Sequence, residues 1–209
     1  GSCRRRSENG RPDFPVPCAF WDTLDDSERN WQEEKKRPSM PDQPVPQPGF
    51  EAPFPTPAEE PLVLESIRAL VNNEPFAVLC TQGGGRPYGS LVAFAFSAGL
   101  GHFVFATPVA THKYRLLSEC PHVALLVDNR SSLPGDLIKV SAVTVTGRAA
   151  QVEPGVEFER WAGLLTARHP GLSSFVQAPS TALFRVDVAR YLHVTRFQEV
   201  RQWIPTSHR

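Results

Sequence analysis

The prolines of this chain are concentrated at its start. Twelve of the 21 prolines lie at or before Pro61. Proline has a fixed φ and no N–H to donate, so closely spaced prolines exclude regular helix and sheet. The distribution therefore predicts a Pro-rich N-terminal extension over residues 1–57 and one folded domain over residues 58–209.

The extension also contains aromatic residues, which disordered arms usually lack. They are Phe20, Trp21, Trp31, Phe50 and Phe54. Each can bury a large apolar area against a folded surface. We expect the extension to form an ordered strap that packs on the folded domain or on a partner subunit.

The composition excludes several classes of protein. Acidic and basic residues are equal in number, 22 of each, and no basic stripe is interleaved with aromatics, so we expect no nucleic-acid partner. No apolar run approaches the roughly 20 residues of a membrane span, and no segment has the pattern of a signal peptide. We therefore expect a cytoplasmic protein without a membrane span.

The four cysteines, Cys3, Cys18, Cys80 and Cys120, have no CxxC or Cys/His spacing. No metal site or redox pair is predicted from them. Cys80 and Cys120 lie in apolar segments and are expected to be buried, inert thiols. Ser90, Ser141 and the six histidines form no hydrolase motif.

Hydrophobic periodicity after residue 58 predicts several strands with short helices between them. Helices are predicted over residues 61–73, 111–120 and 156–167, and strands over residues 76–81, 88–96, 102–107, 122–127, 137–150, 181–186 and 191–197. The order is mostly that of hairpins, and the Gly83–Gly85 run is typical of a hairpin turn. These features predict a mainly β, α+β fold built on a closed or nearly closed antiparallel barrel.

One apolar strand leads directly into a helix at residues 103–117. Thr111 is a good N-cap, and a helix N-terminus presents unpaired N–H groups and positive potential. His112 and Lys113 add basic side chains in the first turn. The segment predicts an anion site that suits a phosphate group, the alternative being an ordinary surface helix with a solvated lysine.

The element order, together with the segments Arg86–Val92 and Ala106–Lys113, resembles the FMN-binding split-barrel family, whose best-known member is pyridoxamine phosphate oxidase. The resemblance implies an antiparallel split β-barrel and a homodimer with FMN at its two-fold interface. The cofactor-binding residues that it implies are Tyr88, Gly89, Ser90, Leu91 and Val92 on one strand and Thr107, Thr111, His112 and Lys113 at the strand-to-helix turn.

The match to the oxidases themselves is incomplete. Ser90 and Ala95 stand where oxidase members carry basic residues, and the C-terminal substrate segment is absent. Pro108, His112 and residues 191–197 are instead similar to the branch that contains haem-utilisation proteins.

Two functions remain open. One is an FMN-dependent oxidoreductase that acts on an unidentified small molecule, with no side chain required as acid or base. The other is a non-catalytic or haem-binding module in which His112 or His193 ligates iron.

Overall fold

The computed structural model describes residues 52–133, 138–196 and 199–205. In this part of the chain the helices are α1 (Glu60–Asn73), α2 (His112–Glu119), α3 (Val156–Arg168) and α4 (Ser173–Val176). The strands are β1 (Phe76–Gly83), β2 (Arg86–Phe96), β3 (His102–Pro108), β4 (His122–Asp128), β5 (Ala142–Gln151), β6 (Thr181–Thr195) and β7 (Glu199–Trp203). Most of the extension lies outside the described residues, so its boundary and the strap stay predictions.

All seven strands belong to one antiparallel sheet in the order β3-β2-β1-β4-β5-β6-β7. The strand β3 also pairs with β6, from His102 opposite Asp187 to Pro108 opposite Thr181. This pairing closes the first six strands into a barrel, and β7 adds to the part of β6 that extends beyond β3. The prediction of a mainly β closed barrel with short helices is confirmed.

The β1–β2 hairpin turns at Gly84 and Gly85, as the sequence predicts. Both residues have positive φ, 55° and 75°, which is the geometry of a tight two-residue turn and which glycine adopts without strain. Along β2 the side chains alternate, so Val92 and Phe94 enter the barrel core while Leu91 points outward and is exposed. Strand β2 therefore contributes side chains both to the barrel core and to the protein surface.

The barrel is split between β2 and β3. These strands pair only where Phe94–Phe96 meet Phe103–Phe105. Closer to the hairpin turn, β2 pairs with β1 alone, and helix α2 packs against β1 and β3. A Cβ on Gly83 would lie 2.4 Å from Leu116 of α2, which shows how closely the helix approaches the hairpin end.

The predicted strands at residues 181–186 and 191–197 are one continuous strand, β6, and the prediction of a break was wrong. Asp187 and Arg190 interrupt the apolar pattern between the two predicted strands, but Asp187 pairs with Arg185 on the same strand. The register between β5 and β6 shifts at this point, because Thr146 lies opposite Arg190 and Gly147 lies opposite Val188. The shift is a β-bulge, and β6 continues through it. The short polar strand β7 was not predicted, and β5 begins at Ala142 rather than at residue 137.

The side chain of Arg168 on α3 forms hydrogen bonds with the C-terminal end of α1. Its guanidinium donates to the carbonyls of Val71 (2.6 Å), Asn72 (3.2 Å) and Glu74 (2.8 Å), and it lies 4.7 Å from the ring centroid of Phe94. Burial lowers the pKa of Arg168. The contacts satisfy carbonyl groups that a helix leaves unpaired at its C-terminal end.

The prediction that Cys80 and Cys120 are buried was wrong for Cys80, which is exposed on the outer face of β1, while Cys120 is partly buried. No three His, Cys, Asp or Glu side chains of the described residues are grouped as metal ligands. No helix among these residues is long and apolar enough to cross a membrane.

Candidate anion and cofactor site

The turn from β3 into α2 is held by two threonines. The Thr111 hydroxyl donates to the carbonyl of Pro108 (2.8 Å) and accepts from the N–H of Tyr114 (3.3 Å), which confirms its capping role. Its single proton is thus used, so Thr107 is the donor in the 3.0 Å contact between the two hydroxyls. Thr107 is only 1% exposed. Thr107 and Thr111 fix the shape of the turn, and their contact with a cofactor stays a prediction.

Lys113 connects the helix to β2. Its Nζ lies 3.3 Å from the carbonyl oxygen of Leu91, and burial lowers the pKa of this lysine. Among the described residues, no carboxylate forms an ion pair with Lys113. A partly buried cation with a carbonyl as its protein partner favours binding of an anion at this point.

Aromatic rings make a second contact between β2 and α2. Tyr88 and His112 meet edge to face, with ring centroids 4.9 Å apart and planes at 87°. Behind them on α2, Nη2 of Arg115 lies 2.8 Å from Nδ1 of His112. The sequence-predicted halves of the site, one on β2 and one at the helix start, therefore come together in space.

The remaining predicted residues on β2 occupy different environments. Leu91 is 63% exposed, whereas Val92 is buried in the barrel core. At Gly89, an added Cβ would meet only Val78, at 3.7 Å. The Ser90 hydroxyl is buried and has no hydrogen-bond partner among the described residues.

Arg115 was missed by sequence reasoning. The signal was available, because residues three positions apart on a helix are neighbours, and Arg115 follows His112 by three. Tyr114 was missed as well, and its hydroxyl donates to Gln151 of β5 at 3.2 Å. Both residues hold α2 or its side chains in place.

The other residues singled out by the sequence lie away from this site. His193 is 5% exposed, its Nε2 contacts the Ser141 hydroxyl at 2.9 Å, and burial lowers its pKa. These contacts make His193 unsuited to ligate iron without rearrangement. Ala95 is buried beneath α3, on the opposite face of β2 from Ser90.

Solved structures with the same fold include haem-binding and flavin-binding proteins. The haem-binding protein from Mycobacterium smegmatis matches with a TM-score of 0.62 and 18% identity over 70% of this chain, which spans 59% of the mycobacterial protein. HutZ, the haem storage protein from Vibrio cholerae, matches with a TM-score of 0.54 and 17% identity over 60% of this chain and 89% of the HutZ chain. An FAD-binding protein from Mesorhizobium loti matches with a TM-score of 0.52 and 16% identity over 62% of this chain and 90% of that protein.

Identities this low establish the shared fold and leave the ligand open. No curated protein matches the sequence. The family model described as pyridoxamine 5′-phosphate oxidase matches residues 63–195, which is more than half of the chain. The region includes the split between β2 and β3 and the whole of α2. The chain therefore belongs to the pyridoxamine 5′-phosphate oxidase-like split-barrel family.

Proposed function

We propose that this chain is an FMN-binding flavoprotein and an oxidoreductase acting on a small molecule. The FMN phosphate binds at the start of α2, and the flavin ring lies along β2 from Tyr88 to Val92. The observation that carries the proposal is the partly buried Lys113 ammonium, which has a carbonyl partner and no carboxylate partner in the described part of the chain.

The start of α2 fits a phosphate group. The first N–H groups of a helix have no intrahelical acceptor, and Thr111 satisfies only that of Tyr114. Lys113 adds a point charge, and His112 lies exposed beside it. Since Ser90 replaces the arginine of oxidase members, Lys113 carries a larger share of the phosphate affinity here.

The open side of β2 fits the flat ring. Where β3 has diverged, the backbone of β2 has no strand partner on that side among the described residues, so its polar groups can bond a heterocycle. The buried Ser90 hydroxyl is a further unpaired group at this position. When bound, FMN supplies hydride or electron transfer, while the protein binds and orients it.

The outer face of the hairpin supports a homodimer. Phe76 is 52% and Leu91 63% exposed, and they sit beside Ala93 and Val78 in the β1–β2 register. An apolar face of this kind usually marks an interface. Light scattering of the full chain at micromolar concentration should give twice the chain mass, and a monomer would contradict the dimer.

Haem binding is the second candidate, favoured by the exposed imidazole of His112 within a fold that the haem-binding protein from Mycobacterium smegmatis shares. Titration with hemin separates the two candidates. A Soret shift that requires His112, without any FMN binding, would replace the flavin proposal with a haem-binding one.

The flavin proposal is tested by titrating the purified full chain with FMN and following flavin fluorescence. We expect saturation at one FMN per chain. Lys113→Ala removes a charge-assisted contact of about 1.5–3 kcal/mol and should raise Kd at least tenfold. Lys139→Ala is the matched control, because Lys139 is an exposed lysine on the segment before β5. An equal Kd for wild type and Lys113→Ala would place the phosphate elsewhere.

A further inference from the structure

We infer that Arg115 is a positioning residue that fixes the tautomer of His112 and thereby makes the site select an anionic oxygen over a metal. The inference rests on the proposed function, since it concerns how the same site discriminates between FMN and haem. It assigns a role to an exposed arginine that the cofactor itself need not touch.

The tautomer follows from the contact between the two side chains. Nη2 of Arg115 lies 2.8 Å from Nδ1 of His112. A guanidinium group has five N–H donors and no acceptor, so Nδ1 must be the acceptor. A neutral imidazole carries one hydrogen, which must therefore be on Nε2.

The ring is also oriented from its other side. The edge-to-face contact with Tyr88, at 4.9 Å and 87°, restricts rotation of the imidazole. With Nδ1 bonded to Arg115, the nitrogen left for a ligand is Nε2, which carries N–H. Together with the Lys113 ammonium and the first N–H groups of α2, it makes the start of the helix a cluster of donors, as an anionic oxygen requires.

The same arrangement disfavours iron. A metal needs the nitrogen lone pair of neutral imidazole, and here the lone pair is on Nδ1, where the guanidinium occupies it. Ligation through Nε2 would move the hydrogen to Nδ1, where it would face the N–H donors of Arg115. Removing Arg115 should therefore weaken anion binding and permit iron binding at His112.

The tautomer is measured on the full chain without any cofactor. Long-range ¹H–¹⁵N NMR at mildly alkaline pH, with the His112 signals assigned by their loss in His112→Gln, should show hydrogen on Nε2 in the wild type. Arg115→Ala should give a mixture of tautomers, Arg115→Lys should partly restore the wild-type signals, and Arg160→Ala on α3 should leave them unchanged. Hydrogen on Nδ1 in the wild type, or identical signals in Arg115→Ala, would overturn the inference.

Ligand titrations test the consequence. Arg115→Ala should raise the Kd for FMN about threefold to tenfold and should gain a hemin Soret shift that the added His112→Gln change abolishes. Unchanged FMN and hemin binding in Arg115→Ala would refute the selective role. If the wild type shows the Nε2–H tautomer yet binds no FMN, the proposed function fails while the positioning role of Arg115 is supported.

Discussion

The two sides of strand β3 differ in how completely their polar groups are satisfied. On one side β3 pairs with β6 along its whole length, from His102 to Pro108. Elsewhere in the fold, the buried Tyr191 hydroxyl donates to the carbonyl of Leu100, and Arg168 donates to three carbonyls near the end of α1. The Tyr191 hydroxyl and the carbonyls of Val71 and Glu74 contribute to stability because they belong to buried residues and are paired.

On the other side β3 diverges from β2, and the polar groups there are less completely satisfied. Ser90 has a buried hydroxyl without a hydrogen bond among the described residues, and the Lys113 ammonium is partly buried beside a carbonyl. Such groups cost free energy in the folded protein. This difference supports the proposal that a ligand binds on the split side.

The contrast predicts the largest loss of stability at Arg168. Arg168→Ala leaves three carbonyls without their donor and should lower the free energy of unfolding by about 3 kcal/mol. Urea unfolding measures this loss. Arg160→Ala is the control, because Arg160 is 66% exposed and should cost about 0.5 kcal/mol or less. Equal losses for the two variants would refute the clamping role of Arg168.

A smaller loss is expected at the bulge that lets β6 run unbroken. A Cβ on Gly147 would lie 2.3 Å from the backbone oxygen of Asp187, so Gly147→Ala should lower the free energy of unfolding by about 2 kcal/mol. Gly163→Ala, in the middle of α3 with open space around it, should raise that free energy by about 0.5–1 kcal/mol. An unchanged free energy of unfolding in Gly147→Ala would mean that β5 and β6 separate easily at this position.

The fold was largely predictable because its elements have strong local signals. Alternation along β2, the glycine turn at Gly84 and the cap at Thr111 identify their elements without tertiary information. The continuity of β6 was not predictable, since Asp187 and Arg190 interrupt the apolar pattern and only the pairing with β5 shows that Ala189, between them, is a bulge within one strand. The short polar strand β7 has too few apolar residues to be recognised.

The candidate site was predictable in part. Capping and charge point to the helix start, and the family resemblance adds β2. The approach of Lys113 to Leu91 and the unpaired state of Ser90 depend on where β2 and β3 diverge, which no local pattern specifies. The contact of Arg115 with His112 follows from helical spacing and could have been predicted.

The smallest change in stability is expected at Ser90. Ser90→Ala removes a buried hydroxyl without a partner, so the free energy of unfolding should stay the same or rise by up to about 1 kcal/mol, while FMN binding weakens. Ser141→Ala is the matched control, because that hydroxyl contacts His193 and its loss should cost about 1 kcal/mol. A destabilised Ser90→Ala with unchanged FMN affinity would remove Ser90 from the site.

The most direct test of the contrast is the ratio of FMN to riboflavin affinity, measured together with urea unfolding of the cofactor-free chain. The two ligands differ only in the phosphate. The wild type should prefer FMN at least tenfold, whereas Lys113→Met should bind both about equally and unfold at the same or higher urea concentration. If Lys113→Met keeps the preference for FMN and loses stability, Lys113 maintains the fold and the split side is not a phosphate site.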